Sequence, residues 1–477
     1  MKKTILITTF TLCVITIQSC AQSTKEHNTN LVSVSNTTTT PNEFPELIQA
    51  DIPGAPKLGN PQLIMGASKP VMGEGMGWAA PAIYDWDDDG KKDLLIGEFA
   101  SGLESKLGPV GNFVRVYQNI GTDSLPEFND QFNYARAIDD LETSSGTPLS
   151  VYTWCCLAFT PRFEDLDNDG FTDLLTGQFN PGYITWFRGS DEGFLPGIKL
   201  EEIYNPLIGY KSREYSLPMT DPKGASYWTY SAAAFGDFDT DGDLDMIIGG
   251  AGLRFSENLG TKSAPKFGKR KQLKGLDGKP LDSSVLSGTL TVPYVVDWNG
   301  DGVLDILLTG HYSEAGHAAV TFYQGVKISE EFQFKAGIPL FTAKDGEKAF
   351  PGSWLNVSVA DWNNDGVNDL LIGTSVATLN GEFNHKLSWQ WEIDTGISKL
   401  NPAYDSASMK STIAQQIEGA EAFQKKSGLN DEEWDSKPNQ SSKRRLIKHY
   451  YGNDGYKNKD LAHQGYVYVM LGTKKDQ

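Results

Sequence analysis

The strongest constraint on how this chain folds is a nine-residue pattern that occurs five times. Aligned on its first aspartate, it reads DWDDDGKKD from Asp85, DLDNDGFTD from Asp165, DFDTDGDLD from Asp237, DWNGDGVLD from Asp297 and DWNNDGVND from Asp361. Each copy runs into an apolar stretch that ends in glycine: LLIG, LLTG, MIIG, ILLTG and LLIG, the fourth with one extra residue before Gly310. The starts lie 80, 72, 60 and 64 residues apart. Spacing of that kind marks repeats of one supersecondary unit.

Around each copy the pattern is that of strands. A short apolar segment precedes it (AAPAIY, AAAF, VPYVV, NVSVA), the Leu/Ile run follows, and an alternating segment such as FVRVYQNIG or AVTFYQG comes next. Pro and an aromatic residue then stand in LPEF at 125 and APKF at 264. Four short strands per unit with glycine-rich turns describe a β-propeller blade, and the unbroken apolar runs suit sheets covered on both faces. The expected fold class is therefore all-β, a propeller of four-stranded blades.

The carboxylates demand a counter-charge. Of the 61 acidic residues, 20 fall in these five windows, and like charges held so close repel unless a cation compensates them. Oxygen donors at positions 1, 3 and 5, Gly at position 6, a backbone carbonyl at 7 and a carboxylate at 9 suit a hard ion of calcium's size. The candidate ligands are Asp85, Asp87, Asp89, Lys91 and Asp93; Asp165, Asp167, Asp169, Phe171 and Asp173; Asp237, Asp239, Asp241, Asp243 and Asp245; Asp297, Asn299, Asp301, Val303 and Asp305; and Asp361, Asn363, Asp365, Val367 and Asp369. Lys91, Phe171, Val303 and Val367 enter through their carbonyl oxygens. About five calcium ions are expected. An EF-hand begins in the same way but requires Glu at position 12, where the first copy has Ile96.

These motifs resemble the FG-GAP/VCBS repeat family, relatives of the integrin α-chain propeller, which carry D-x-D-x-D-G-x-x-D followed by an apolar run and Gly. The resemblance covers about residues 55 to 395 and again 464 to 472. It implies that each loop joins the first two strands of a blade and binds calcium there. Five motifs give five blades. The fifth unit is interrupted after KLSWQWEI by a stretch of helical character from 403 to 450, and GYVYVMLGT at 465 reads as its third strand. APKLG at 55 matches APKFG at 264, where a fourth strand begins. The N-terminal segment is thus expected to supply the missing strand and close the ring, pairing residues 58 to 66 with 465 to 471; six or seven blades is the alternative.

Outside the repeats, Lys2 and Lys3 precede an apolar run from Ile5 to Ile17, and IQSC ends at Cys20. This is the layout of an export signal, and Ile17, Ser19 and Cys20 resemble a bacterial lipobox with Cys20 as the lipidated residue; Gln18 is a less usual occupant of its place, and plain signal cleavage is the alternative. The expected division is a signal over 1–19, a Ser/Thr/Asn-rich linker over 20–50 and the propeller over 51–477. Localisation is expected at the cell envelope as an outer-membrane lipoprotein, held to the membrane by its lipid. Cys155 and Cys156 are adjacent, as free thiols or as a strained vicinal disulfide.

The formal net charge of -19 argues against a nucleic-acid partner. No H-E-x-x-H or G-x-S-x-G appears, so no catalytic residue is assigned. GEGMGW at 73 lacks the strand-turn-helix setting of a phosphate loop. His311 and His317 read as loop histidines with or without a ligand. Trp78, Trp154, Trp228 and Trp354 stand 7, 11, 9 and 7 residues before their copy's first Asp. They would start the inner strands at the end of the channel away from the motif loops, either as blade packing or as a surface for a glycan or protein ligand. A non-catalytic binding or adhesion module is the leading functional expectation. A lyase-like polysaccharide-degrading enzyme and a scaffold docking through 403–450, with its basic SKRRLIKHYY, are the alternatives.

Overall fold

The computed structural model describes residues 44–73, 77–99, 111–138, 148–151, 157–179, 182–200, 231–250, 252–281, 289–311, 317–328, 331–379, 382–383 and 461–474, with isolated positions between 419 and 433. The export signal, Cys20, most of the linker, Cys155, Cys156, Trp154, Trp228 and most of 403–450 lie outside the described residues. The chain divides into two compact units. One is Phe44–Val376 with Gln464–Gln477, and the other is Met1–Glu43 with Ala377–His463. In the second unit, Thr378–Leu379 pairs with Glu382–Phe383 and positions 424–427 are helical.

The first unit is a five-bladed β-propeller in which the chain visits the blades in order. Blade 1 runs Ala80–Tyr84, Asp93–Gly97, Asn112–Tyr117 and Asn133–Tyr134, and blade 2 runs Arg162–Glu164, Asp173–Gly177, Ile184–Phe187 and Ile198–Lys199. Blade 3 is Ala232–Gly236, Asp245–Gly249, Arg254–Ser256 and Lys271–Gln272, and blade 4 is Thr289–Val296, Asp305–His311, Thr321–Tyr323 and Ile338–Pro339. The first and second strands of every blade pair antiparallel, so each acidic loop is the hairpin between them.

Blade 5 closes the ring from both ends of the sequence. Its strands are Ser353–Ala360, Asp369–Leu379, Leu461–Met470 and Gln62–Leu63, with Leu63 opposite Tyr468 and Gln62 opposite Val469. Lys57–Leu58 adds a second pairing on Gly472–Thr473. The expected latch is present. The fold also begins before the expected boundary at 51: Leu47–Gln49 pairs with Phe341–Ala343, and the ring of Phe44 lies 5.0 Å from Phe350 and 5.3 Å from Tyr468. Phe44 and Leu47 give this segment apolar surface to bury, which the Ser/Thr/Asn tract before it lacks.

The Leu/Ile runs are second strands, covered on both faces by neighbouring blades. Leu94, Leu95, Ile96, Leu174, Leu175, Leu307 and Leu371 are fully buried. One cluster joins blades 1 and 2 through Ala82, Leu95, Phe159, Leu174 and Phe187, and another joins blades 5 and 1 through Leu371, Val467, Ala79 and Leu94. The glycine that ends the run in blades 1, 2, 3 and 5 sets the approach of the next blade. A Cβ would lie 1.9 Å from the Phe159 carbonyl oxygen at Gly97, 1.3 Å from that of Ser231 at Gly177, 2.0 Å from that of Thr291 at Gly249 and 2.0 Å from that of Ala79 at Gly373. Any side chain there would push two blades apart.

Candidate functional site

The five hairpin loops share one backbone shape, dictated by two positive-φ positions. Position 4 is left-handed at Asp88, Asn168, Thr240, Gly300 and Asn364, with φ between 52 and 69°, and position 6 at Gly90, Gly170, Gly242, Gly302 and Gly366, with φ between 78 and 92°. Asp, Asn and Gly tolerate that region best, which accounts for four of the five residues at position 4. The first Asp folds the loop around itself. In blade 1, Asp89 N–H donates to Asp85 Oδ1 (3.1 Å) and Gly90 N–H to Oδ2 (2.9 Å); blades 2, 4 and 5 repeat both bonds.

Position 9 has a second role that the spacing alone does not reveal. Asp93 is buried, and its two oxygens accept Trp86 N–H (3.0 Å) from the loop and Asn119 N–H (2.7 Å) from beyond the third strand. Asp173 accepts Leu166 and Gly189, Asp245 accepts Phe238 and Asn258, and Asp305 accepts Trp298 and Gly325. In blade 5, Asp369 accepts Trp362 and Gly472, so this carboxylate clasps the C-terminal strand to the loop. Burial raises the pKa of all five, to about 6 for Asp173 and Asp305 and about 7 for Asp245.

Carboxylate oxygens converge within 4.8 Å of one another in three loops, from Asp85, Asp87 and Asp93; Asp165, Asp167 and Asp173; and Asp237, Asp239 and Asp241. Asp167 Oδ1, Asp237 Oδ1 and Asp243 Oδ1 are buried without a hydrogen-bond partner. Orphaned anionic oxygens on a converging all-oxygen set fit a hard divalent cation. The loops differ in the counter-charge they already hold. Lys91 Nζ lies 2.6 Å from Asp89 Oδ2, and Arg188 Nη2 lies 2.5 Å from Asp167 and 3.2 Å from Asp169. In loops 4 and 5, Asn299 and Asn363 Nδ2 donate to Asp301 and Asp365, each at 3.0 Å. Loop 3 has carboxylates at all five candidate positions, and burial followed by repulsion from Asp241 raises Asp243 to about 6.

At the other end of the channel, Trp78 and Trp354 are brought together across the junction of blades 5 and 1. They are 3% and 8% exposed and stacked at 4.2 Å, with Trp354 at φ 53°. For these two the stack is blade packing. His311, read from sequence as a loop residue, ends the second strand of blade 4 and is buried 4.5 Å from the Trp354 ring. Burial first, then Lys348 and His317, push its pKa down to about 3.

The inner strands also line a partly open cavity of about 300 Å³ at the acidic-loop end of the channel. Its polar lining comprises Tyr84, Lys92, Arg162, Glu164, Tyr294 and Ser358. Burial lowers the Arg162 pKa and raises that of Glu164 to about 7. Tyr294 Oη donates to Val359 O (3.2 Å), and the Arg162 guanidinium lies 5.0 Å from the Tyr294 ring centroid. None of these residues was a sequence candidate.

Fold and loops together define a five-bladed propeller carrying one acidic hairpin per blade. Residues 297–372, which span the loops of blades 4 and 5, match the family model described as an FG-GAP-like repeat. No curated protein matches the chain. Among solved structures it is similar to the Photorhabdus luminescens Tc holotoxin pore carrying TccC3-D651A, at 14% identity and TM-score 0.28, covering 69% of this chain and 15% of that one. It is also similar to the subtype N11 neuraminidase-like protein of A/flat-faced bat/Peru/033/2010 (H18N11), at 9% identity and TM-score 0.28, covering 71% of this chain and 93% of that one.

Proposed function

We propose that the protein is a calcium-stiffened, non-catalytic binding module of a bacterial cell envelope, tethered to the outer membrane through a lipid on Cys20, with a glycan or protein as its ligand. The observation that carries the reading is the fivefold acidic hairpin, with buried carboxylate oxygens that lack partners in loops 2 and 3. An ion in each loop would neutralise them and fasten the first strand to the second. If each site binds at ~10⁻⁴ M, then ~1 mM calcium stabilises the fold by about 1.4 kcal/mol per site. Five such sites would contribute roughly 7 kcal/mol, a large share of a typical domain's stability.

Melting curves of residues 21–477 with calcium and with excess chelator test the calcium part. The transition should fall by well over ~10 °C on chelation and return when calcium is restored. Identical curves would refute it. A polysaccharide panel scored for retention and product release together tests the rest. Retention without products supports a binding module, and products would replace it with the enzyme reading.

A further inference from the structure

We propose that the cavity at the acidic-loop end of the channel is a binding site for a small hydroxy-carboxylate, a ligand that joins one carboxylate to several hydroxyls. This goes beyond the calcium and glycan reading and does not depend on it.

The site is assembled from inner strands of all five blades. At about 300 Å³ it far exceeds the ~10–15 Å³ that admits one water and reaches the lower end of small-ligand sites. Arg162 is 6% exposed, yet only two of its nitrogens are used: Nη1 donates to Pro161 O and Nη2 to Pro293 O, both at 2.9 Å. Its Nε is buried without a partner. Glu164 is the acid that acts on it electrostatically, and among the described residues the two form no ion pair. The guanidinium is therefore a buried cation whose hydrogen bonds go to neutral carbonyls, with Glu164 acting on it only at longer range, an arrangement that an anion in direct contact would stabilise.

Two further groups define what that anion carries. Ser358, 3% exposed, has an Oγ with no partner, and Glu164 when ionised can only accept hydrogen bonds. A carboxylate suits the planar guanidinium fork, and hydroxyls supply the donors that Glu164 requires. Lys92 adds a second cation; its Nζ donates to Asp361 O at 2.6 Å and retains further N–H groups. Water could satisfy Arg162 Nε and Ser358 Oγ but would supply no charged partner in contact with the guanidinium.

Isothermal titration of the full chain at fixed free calcium tests the proposal with three matched probes. D-gluconate carries both features, sorbitol replaces its carboxylate with an alcohol, and hexanoate lacks the hydroxyls. Gluconate should bind with a millimolar or tighter dissociation constant, hexanoate more weakly and sorbitol not measurably. Arg162→Gln should weaken gluconate at least ~10-fold. Glu164→Gln should narrow the gap between gluconate and hexanoate. Should Arg162→Gln not fold, Ser358→Ala is the deciding variant and should weaken gluconate several-fold. Absence of gluconate binding to the wild type, binding unchanged in folded Arg162→Gln or in Ser358→Ala, or equal affinity for sorbitol would each overturn the assignment.

Discussion

Acidification should loosen the ring through His311. The side chain is held neutral by burial between blades 4 and 5, with Lys348 and His317 opposing its charge, and its pKa falls from 6.5 to about 3. In the unfolded chain it protonates near 6.5. Between these values the unfolded state binds the extra proton, so stability that is intact above pH 6.5 is lost as pH falls. At 1.36 kcal/mol per unit, the loss from this residue is about 2 kcal/mol at pH 5 and approaches ~5 kcal/mol near pH 3. The raised carboxylates of the loops titrate over the same range, so the wild type alone does not isolate the histidine. The assay is urea unfolding at pH 7.5 and pH 5.0, at fixed free calcium, for the wild type and His311→Gln. The pH-dependent loss should be smaller in the variant by about 2 kcal/mol. Equal losses in both proteins would refute the argument, because the loop contributions cancel in the difference.

Three other outcomes follow from the geometry. Gly177→Ala places a Cβ 1.3 Å from the Ser231 carbonyl oxygen and should cost more than ~4 kcal/mol or prevent folding. Gly90→Ala, with φ +83° and open space around it, should cost only about 1 kcal/mol; similar thermal shifts for the two would contradict the blade-approach account. Asp245→Ala strips Phe238 N–H and Asn258 N–H of their acceptor and should destabilise even the calcium-free protein, by roughly 2–6 kcal/mol in chemical unfolding. Arg188→Gln removes a partly exposed cation from Asp167 and Asp169 and should tighten the loop 2 site by about fivefold in calcium titrations, an effect of ~1 kcal/mol.

The parts of this molecule that were legible in the sequence are those with a local signature. The acidic hairpins announce themselves because positions 1, 5, 6 and 9 are fixed by backbone shape and charge, and the apolar run after them has to be a strand covered on both faces. The latch was readable because APKLG at 55 repeats APKFG at 264. What escaped depends on distant segments meeting. Arg162, Glu164, Tyr294 and Ser358 belong to three different blades and share no pattern, so nothing in one repeat predicts the cavity they line. The clasping role of position 9 was hidden for a similar reason, since its second partner lies 103 residues away in blade 5. His311 looked like a loop residue because the second strand of blade 4, with its extra residue before Gly310, runs past the glycine at which that of blades 1 to 3 ends.

The divided fifth blade bears on how the molecule can be made. Gln62–Leu63 leaves the ribosome early, but its partner strand Leu461–Met470 emerges some four hundred residues later. Blades 1 to 4 are continuous in sequence and can form as they appear, whereas the ring stays open, with the Leu371 and Leu94 faces uncovered, until the last strand arrives. Closure thus brings together segments of very large sequence separation, the slow kind of step in which exposed apolar surface invites misassembly. A nascent chain stalled short of residue 461 would carry four finished blades and no closed ring, which makes the open arc the state that chaperones would meet.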